Sequence, residues 1–180
     1  MVTIFYFHGY NSNGNSRTVG MVKNILPDAH ILSPTYCTTD ADIAMSYLDT
    51  MVSAALQQNS NMVLIGNSLG GFFANYFSNK YKLPVLLINP SFDPAVSLEK
   101  HNPIDNINCS SFQKYYIEDV PGILKFVVLG LKDEVIPYRS FMSRFNRGYK
   151  IFINDNMGHR VSLEDEIRVP LQELVGMVND

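Results

Sequence analysis

A histidine oriented by an aspartate can take the proton of a serine hydroxyl and turn it into a nucleophile, provided that the fold brings the three within hydrogen-bond reach. The chain offers candidates in a suitable order: Ser68 in Gly66-Asn67-Ser68-Leu69-Gly70, Asp133 in "VVLGLKDEVIPY" and His159 in "IFINDNMGHR". The pentapeptide has the form GxSxG, follows a predicted strand and opens a predicted helix, which is the context that this pattern requires. A serine on so tight a turn holds a strained backbone, and the residues two positions to either side come too close to other backbone to carry a side chain. Gly66 and Gly70 occupy those two positions. The turn lifts the Ser68 hydroxyl above the sheet edge, over a helix N-terminus with free N–H groups and partial positive charge. A glycine-rich turn also suits close strand–helix packing or phosphate binding; the phosphate reading is weakened by the absence of a P-loop lysine and of a GxGxxG pattern.

The partners carry the argument further. Asp133 is expected in a loop just beyond the carboxyl end of one strand, and His159 in a loop beyond the next, so both loops open on the same sheet edge as Ser68. Asp133 could instead cap a helix beginning at Pro137 or be a solvated loop charge; Asp93 is the runner-up acid, and Glu134 is expected to point elsewhere. The other histidine after Ser68 is His101, inside an irregular stretch, and His30 near a strand start reads as structural. For the oxyanion the motif supplies the backbone N–H of Leu69, and the loop "HGYNSNG" after an early strand supplies the N–H of Tyr10. His8 reads more naturally as a ring bonded to backbone that holds this loop than as a proton carrier, and Asn11, Ser12 and Asn13 as turn residues.

Positioning these groups needs a sheet. Apolar runs "VTIFYF", "HILS", "MVLIG", "PVLLIN", "KFVVLG" and "YKIFIN" have strand length, are bounded by turn formers and look buried on both faces. Between several of them lie helical patterns, as in "DADIAMSYLDTMVSAALQQ", where Ile43, Ala44, Tyr47, Leu48, Met51, Val52, Ala55 and Leu56 form a stripe that Thr39 or Asp40 can cap. Alternation of strand and helix predicts an α/β fold with a mostly parallel sheet. Residues 91–122 break the rhythm and are expected to form a cap excursion with one short helix around Ser110 to Ile117, placed over the strand ends. Phe72, Phe92, Phe112, Tyr115 and Tyr116 could line an acyl pocket there, although such aromatics more often pack the cap itself. Pro170 fits the first position of a last helix, Pro170 to Val178.

The 180 residues, 46% hydrophobic, suit one domain over 1–180, and a net charge of −3 with scattered Lys and Arg argues against a nucleic-acid partner. Cys37 and Cys109 lack metal-ligand spacing and read as free thiols of a reducing compartment. With a first apolar run too short for a signal core or a membrane span, a soluble cytoplasmic protein without membrane attachment is expected; oligomeric state is not legible.

Taken together, "YFHGYNSN", "IGNSLGGFFA", the "NP" after the following strand, "GLKDEVIPYR" and "GH" resemble the alpha/beta-hydrolase superfamily, and within it the small bacterial YqiA/YcfP-type esterases. The resemblance implies a compact fold with a reduced sheet of about six strands, helices on both faces and a small cap. It further implies Ser68 as nucleophile, Asp133 as acid and His159 as base, with no metal or cofactor. The expected activity is hydrolysis of carboxylic esters of small or medium acyl groups through an acyl-enzyme. A thioesterase, a non-catalytic binding module on the same fold, and a nucleotide binder using the Gly66 turn are the alternatives.

Overall fold

Each of the six apolar runs is too short for a stable helix and rich in residues that suit a pleated, buried surface. In the computed structural model, which describes residues 1–99, 105–136, 138, 145 and 148–179, they form β1 (Thr3–Phe7), β2 (His30–Leu32), β3 (Met62–Asn67), β4 (Val85–Ile88), β5 (Lys125–Lys132) and β6 (Tyr149–Gly158). These make one sheet in the order β2-β1-β3-β4-β5-β6, with every neighbouring pair parallel. Parallel neighbours cannot be joined by a tight hairpin, so the chain crosses over through α1 (Arg17–Ile25), α2 (Ala41–Gln58) and α3 (Leu69–Tyr81), and α6 (Asp165–Asn179) follows the last strand.

The sheet is covered on both faces because alternate strand residues point opposite ways. Phe5, Phe7, Leu64, Leu87 and Val127 meet the buried stripes of α2 and α3, whereas Ile4, Tyr6, Ile65, Ile88 and Val128 meet α1 and α6. Burial on both faces holds for β1, β3 and β4 and for most of β5 but not for the edges: β2 and β6 are largely half-buried or exposed, since each has a neighbour on one side only.

Asp40 caps α2, its carboxylate accepting from the Asp42 and Ile43 amides at 2.8 and 3.2 Å, a contact type worth about 1 kcal/mol. The buried stripe of α2 is Ala41, Ala44, Met45, Leu48, Val52 and Ala55. Ile43 and Tyr47, expected on it, are 62% and 43% exposed, because they precede Ala44 and Leu48 by one residue and so lie about 100° around the helix. The last helix begins at Asp165, earlier than the proline suggested. Glu166 accepts from the Ser162 and Leu163 amides at 2.7 and 3.1 Å, which satisfies the chain ahead of it, and buried Pro170 forfeits one helical bond.

Between β4 and β5 the chain forms α4 (Pro94–Ser97) and α5 (Cys109–Gln113), the latter shorter than the helix expected over 110–117. The segment is fastened to the start of α2. Asn108 donates from its amide to the Thr39 carbonyl and from Nδ2 to Asp40, both at 2.8 Å, and Ser111 Oγ accepts from the Ala41 amide at 2.8 Å while donating to the Asn108 carbonyl at 2.7 Å. Among the described residues no helix is long and apolar enough to cross a membrane.

Ser111 is fully buried, so removing its hydroxyl leaves the Ala41 amide without this acceptor. Ser111→Ala is expected to lower unfolding free energy by about 1–3 kcal/mol, measured by urea denaturation. An unchanged midpoint would mean that the fastening contributes nothing.

Candidate active site

Ser68 is the single residue between β3 and α3, and it sits at φ 53, ψ −120. An L side chain there costs about 1–3 kcal/mol, so the surroundings must enforce it. The Ser68 amide donates to the Ile88 carbonyl at 2.9 Å, and the Ser68 carbonyl accepts from the Gly71 and Ser91 amides, each at 2.9 Å. The two glycines of the motif are required by close approach. A Cβ at Gly70 would stand 2.0 Å from the Phe7 carbonyl oxygen, and one at Gly66 would stand 2.4 Å from the Gly70 carbonyl oxygen.

The structure brings the three candidate side chains into one line. His159 Nε2 lies 2.9 Å from Ser68 Oγ, and His159 Nδ1 lies 3.0 and 2.9 Å from Asp133 Oδ1 and Oδ2. An ionised carboxylate only accepts, so the imidazole proton is on Nδ1, Nε2 keeps its lone pair, and the Ser68 hydroxyl donates to it. The Asp133 side chain is 1% exposed. Burial pushes its carboxyl up, but the His159 hydrogen bond and the amides of Ile136 and Val135 outweigh this and hold it below the ordinary value of 3.8. Those amides donate to Oδ1 at 2.8 Å each, so the residue is both the partner of His159 and the cap of its own loop.

The first loop flanks the serine. A Cβ at Gly9 would stand 3.4 Å from Ser68 Cβ and 3.9 Å from Oγ, which places Gly9 beside the hydroxyl. Leu69 opens α3, where a helix has no carbonyl one turn back for its first amides. The Tyr10 side chain is engaged elsewhere, its hydroxyl donating to Asp105 in the β4–β5 segment. His8 is fully buried. Its Nε2 accepts from the Tyr36 amide at 3.3 Å and its Nδ1 faces the Gly9 carbonyl at 2.9 Å, a pattern that requires the neutral Nδ1–H tautomer. Burial lowers its pKa against the Gly9 bond, which raises it, so His8 holds the loop as an uncharged ring.

Other candidates fall outside this line. Asp93 caps α4 through the Val96 amide at 3.4 Å, and Glu134 turns back toward the His159 amide, also at 3.4 Å, instead of pointing away from the site. His30 is exposed on the edge strand, while His101 and Pro137 lie outside the described residues. Phe72, Phe92, Phe112 and Tyr116 do line a cavity of about 250 Å³, together with Asp93, the α4 residues Pro94, Ala95 and Val96, and Gln113 of α5. Tyr115 does not; it packs on Tyr76 and donates to Asp42. The sequence pattern assigned no role to Asn89, whose buried side chain bonds β5 at Gly130, three residues before Asp133, and the main chain at Gly158 and His159. Its signal was the "NP" immediately after a strand.

Residues 3–125 match the profile of a family described as "Uncharacterised protein family (UPF0227)". A UPF0227 protein of Shewanella woodyi is 27% identical over 168 residues, covering 87% of this chain and 90% of its own. Among solved structures, alpha/beta hydrolase domain-containing protein 10 from mouse is similar with a TM-score of 0.73 and 14% identity, covering 98% of this chain and 89% of that one. The esterase EaEST from Exiguobacterium antarcticum is similar with a TM-score of 0.67 and 16% identity, over 100% and 92% of the two chains. The fold is therefore that of an alpha/beta hydrolase.

Because the folded state holds the Asp133 carboxyl below its ordinary value, the carboxylate stabilises the fold above that value, and the contribution is lost as pH falls through the folded pKa. Urea unfolding of the wild type and Asp133→Asn across acid pH should show a stability gap that is constant above about pH 5 and narrows steadily below pH 4. A gap independent of pH would contradict the depressed carboxyl.

Proposed function

The chain belongs to the UPF0227 family, and from that premise we propose that it is a serine hydrolase of carboxylic esters. The observation that carries the reading is the continuous relay in which Ser68 Oγ is 2.9 Å from His159 Nε2 and His159 Nδ1 is 2.9 Å from Asp133 Oδ2. In the proposed reaction, Ser68 Oγ bonds to the acyl carbon as His159 Nε2 takes the hydroxyl proton and Asp133 stabilises the resulting imidazolium. The carbonyl electron pair moves onto oxygen, to which the Leu69 and Tyr10 amides donate. Collapse breaks the bond to the alcohol, which leaves with the proton from His159. Water then repeats the sequence on the acyl-enzyme and releases the acid, so no cofactor is consumed. The esterase name carried by one structure of similar fold supports the same chemistry.

The cavity beside α4 and α5 is the proposed seat of the acyl group. Helical side chains lean toward the helix N-terminus, so Phe72, one turn after Ser68, joins the serine turn to that cavity. A volume of about 250 Å³ lies just below the usual range for ligand pockets, which suits small or medium acyl groups. The free thiols Cys37 and Cys109 fit a reducing cytoplasm.

A fluorophosphonate probe followed by intact-mass analysis tests the nucleophile without a known substrate. One adduct on Ser68 is expected, absent in Ser68→Ala and slowed at least about 10³-fold in His159→Ala and Asp133→Asn. A folded wild type that stays unlabelled would favour a binding module.

Acyl preference is tested separately with a panel of ester and thioester substrates of increasing chain length. Ala95→Phe, which fills the cavity, should cut turnover of the longer acyl groups by at least about tenfold and spare acetyl. Equal losses along the panel would place the acyl group elsewhere.

A further inference from the structure

Three residues at and just beyond the end of β4, Ile88, Asn89 and Ser91, bond the Ser68 turn, the end of β5 and the His159 loop. Ile88 accepts from the Ser68 amide, and the Ser91 amide donates to the Ser68 carbonyl, each at 2.9 Å. Between them, Asn89 uses its whole side chain. Nδ2 donates to the Gly158 carbonyl at 2.8 Å and to the His159 carbonyl at 3.0 Å, while Oδ1 accepts from the Gly130 amide at 2.8 Å.

We propose that Asn89 is a positioning residue that holds the His159 loop at the distance from Ser68 that proton transfer requires, a role that rests on the serine-hydrolase reading above. The topology explains the need. β6 is an edge strand that pairs with β5 alone, and the last paired residue of β6 is Gly158, so the ladder stops one residue short of His159. Asn89 reaches from β4 across the end of β5 to hold the chain at that point.

Gly130 makes the span short enough: a Cβ there would stand 2.3 Å from the Met157 carbonyl oxygen and 2.8 Å from that of Gly158. The side chain must offer two donors and an acceptor from one planar group, which only Asn and Gln do. The backbone at Asn89 sits at φ 41, in the left-handed region that asparagine tolerates better than most residues. At 2% exposed, Asn89 also has little water to replace a lost bond.

Two variants separate the side chain from the backbone. Asn89→Gly keeps the positive φ without strain and removes every side-chain bond, and Asn89→Asp keeps the acceptor for Gly130 while replacing the donor with oxygen. Three readouts are taken on each: kcat and KM on a short ester, cooperative urea unfolding, and the low-field proton resonance of His159 Nδ1, assigned by its loss in His159→Gln. A misplacement of about 1 Å costs about 10²-fold, so kcat should fall about 10–100-fold in both, with KM within about twofold and the low-field resonance broadened or lost. Retention of kcat and of that resonance in a folded Asn89→Gly would overturn the role while leaving the hydrolase reading intact. A wild type without turnover or labelling would sink the hydrolase reading instead, and the resonance alone would then decide: unchanged in Asn89→Gly it rejects the positioning role, and lost it supports it.

Discussion

A serine held at φ 53 is the constraint from which the arrangement of the site follows. No L residue chooses that conformation without compensation, and here it comes from packing the β3–α3 turn between the ends of β1 and β4. The Phe7 carbonyl occupies the space that a Gly70 side chain would need, and the Ile88 carbonyl and Ser91 amide grip the serine main chain from the other side. An all-parallel sheet makes this possible, because every strand delivers its carboxyl end, and the loop that follows, to the same edge.

Electrostatics completes what packing begins. Asp133 has almost no contact with water, yet its carboxylate is surrounded by donors: the His159 ring and the amides of Val135 and Ile136. A buried charge persists only when its hydrogen-bonding capacity is met, and among the described residues it is met by the imidazole and two backbone amides. The ring of His159 thereby acquires a fixed tautomer, and its other nitrogen is presented to Ser68 with a lone pair. His8 follows the opposite logic, because a buried ring whose two nitrogens meet backbone groups, and which stacks on Tyr36, is held neutral and serves the loop it belongs to.

The segment between β4 and β5 is small, and its fastening to Asp40 and Asp42 at the head of α2 substitutes for a core of its own. That fastening leaves space between α4 and α5 which Phe72 and Phe92 border without filling. The same aromatic residues therefore act as packing and as cavity wall: Phe72, Phe92 and Phe112 are each buried in the main apolar cluster on one side and bound the cavity on the other.

Residue types and spacing by themselves determined six strand-length runs, the helices between them, and the order serine, aspartate, histidine, because apolar periodicity and the GxSxG turn are local properties of the chain. They also marked Gly66 and Gly70 as places where a side chain could not fit. Tertiary structure alone decided which strands lie at the edges, and hence why β2 and β6 are less buried than their apolar runs suggest. It decided the face that α2 buries, which left Ile43 and Tyr47 outside, and it set the start of the last helix through Glu166 rather than Pro170. It also gave Asn89 its partners, since Gly130 and His159 are 41 and 70 residues away along the chain and meet it only across the end of β5. Contacts of that kind depend on register and twist across several strands, and no local pattern encodes them.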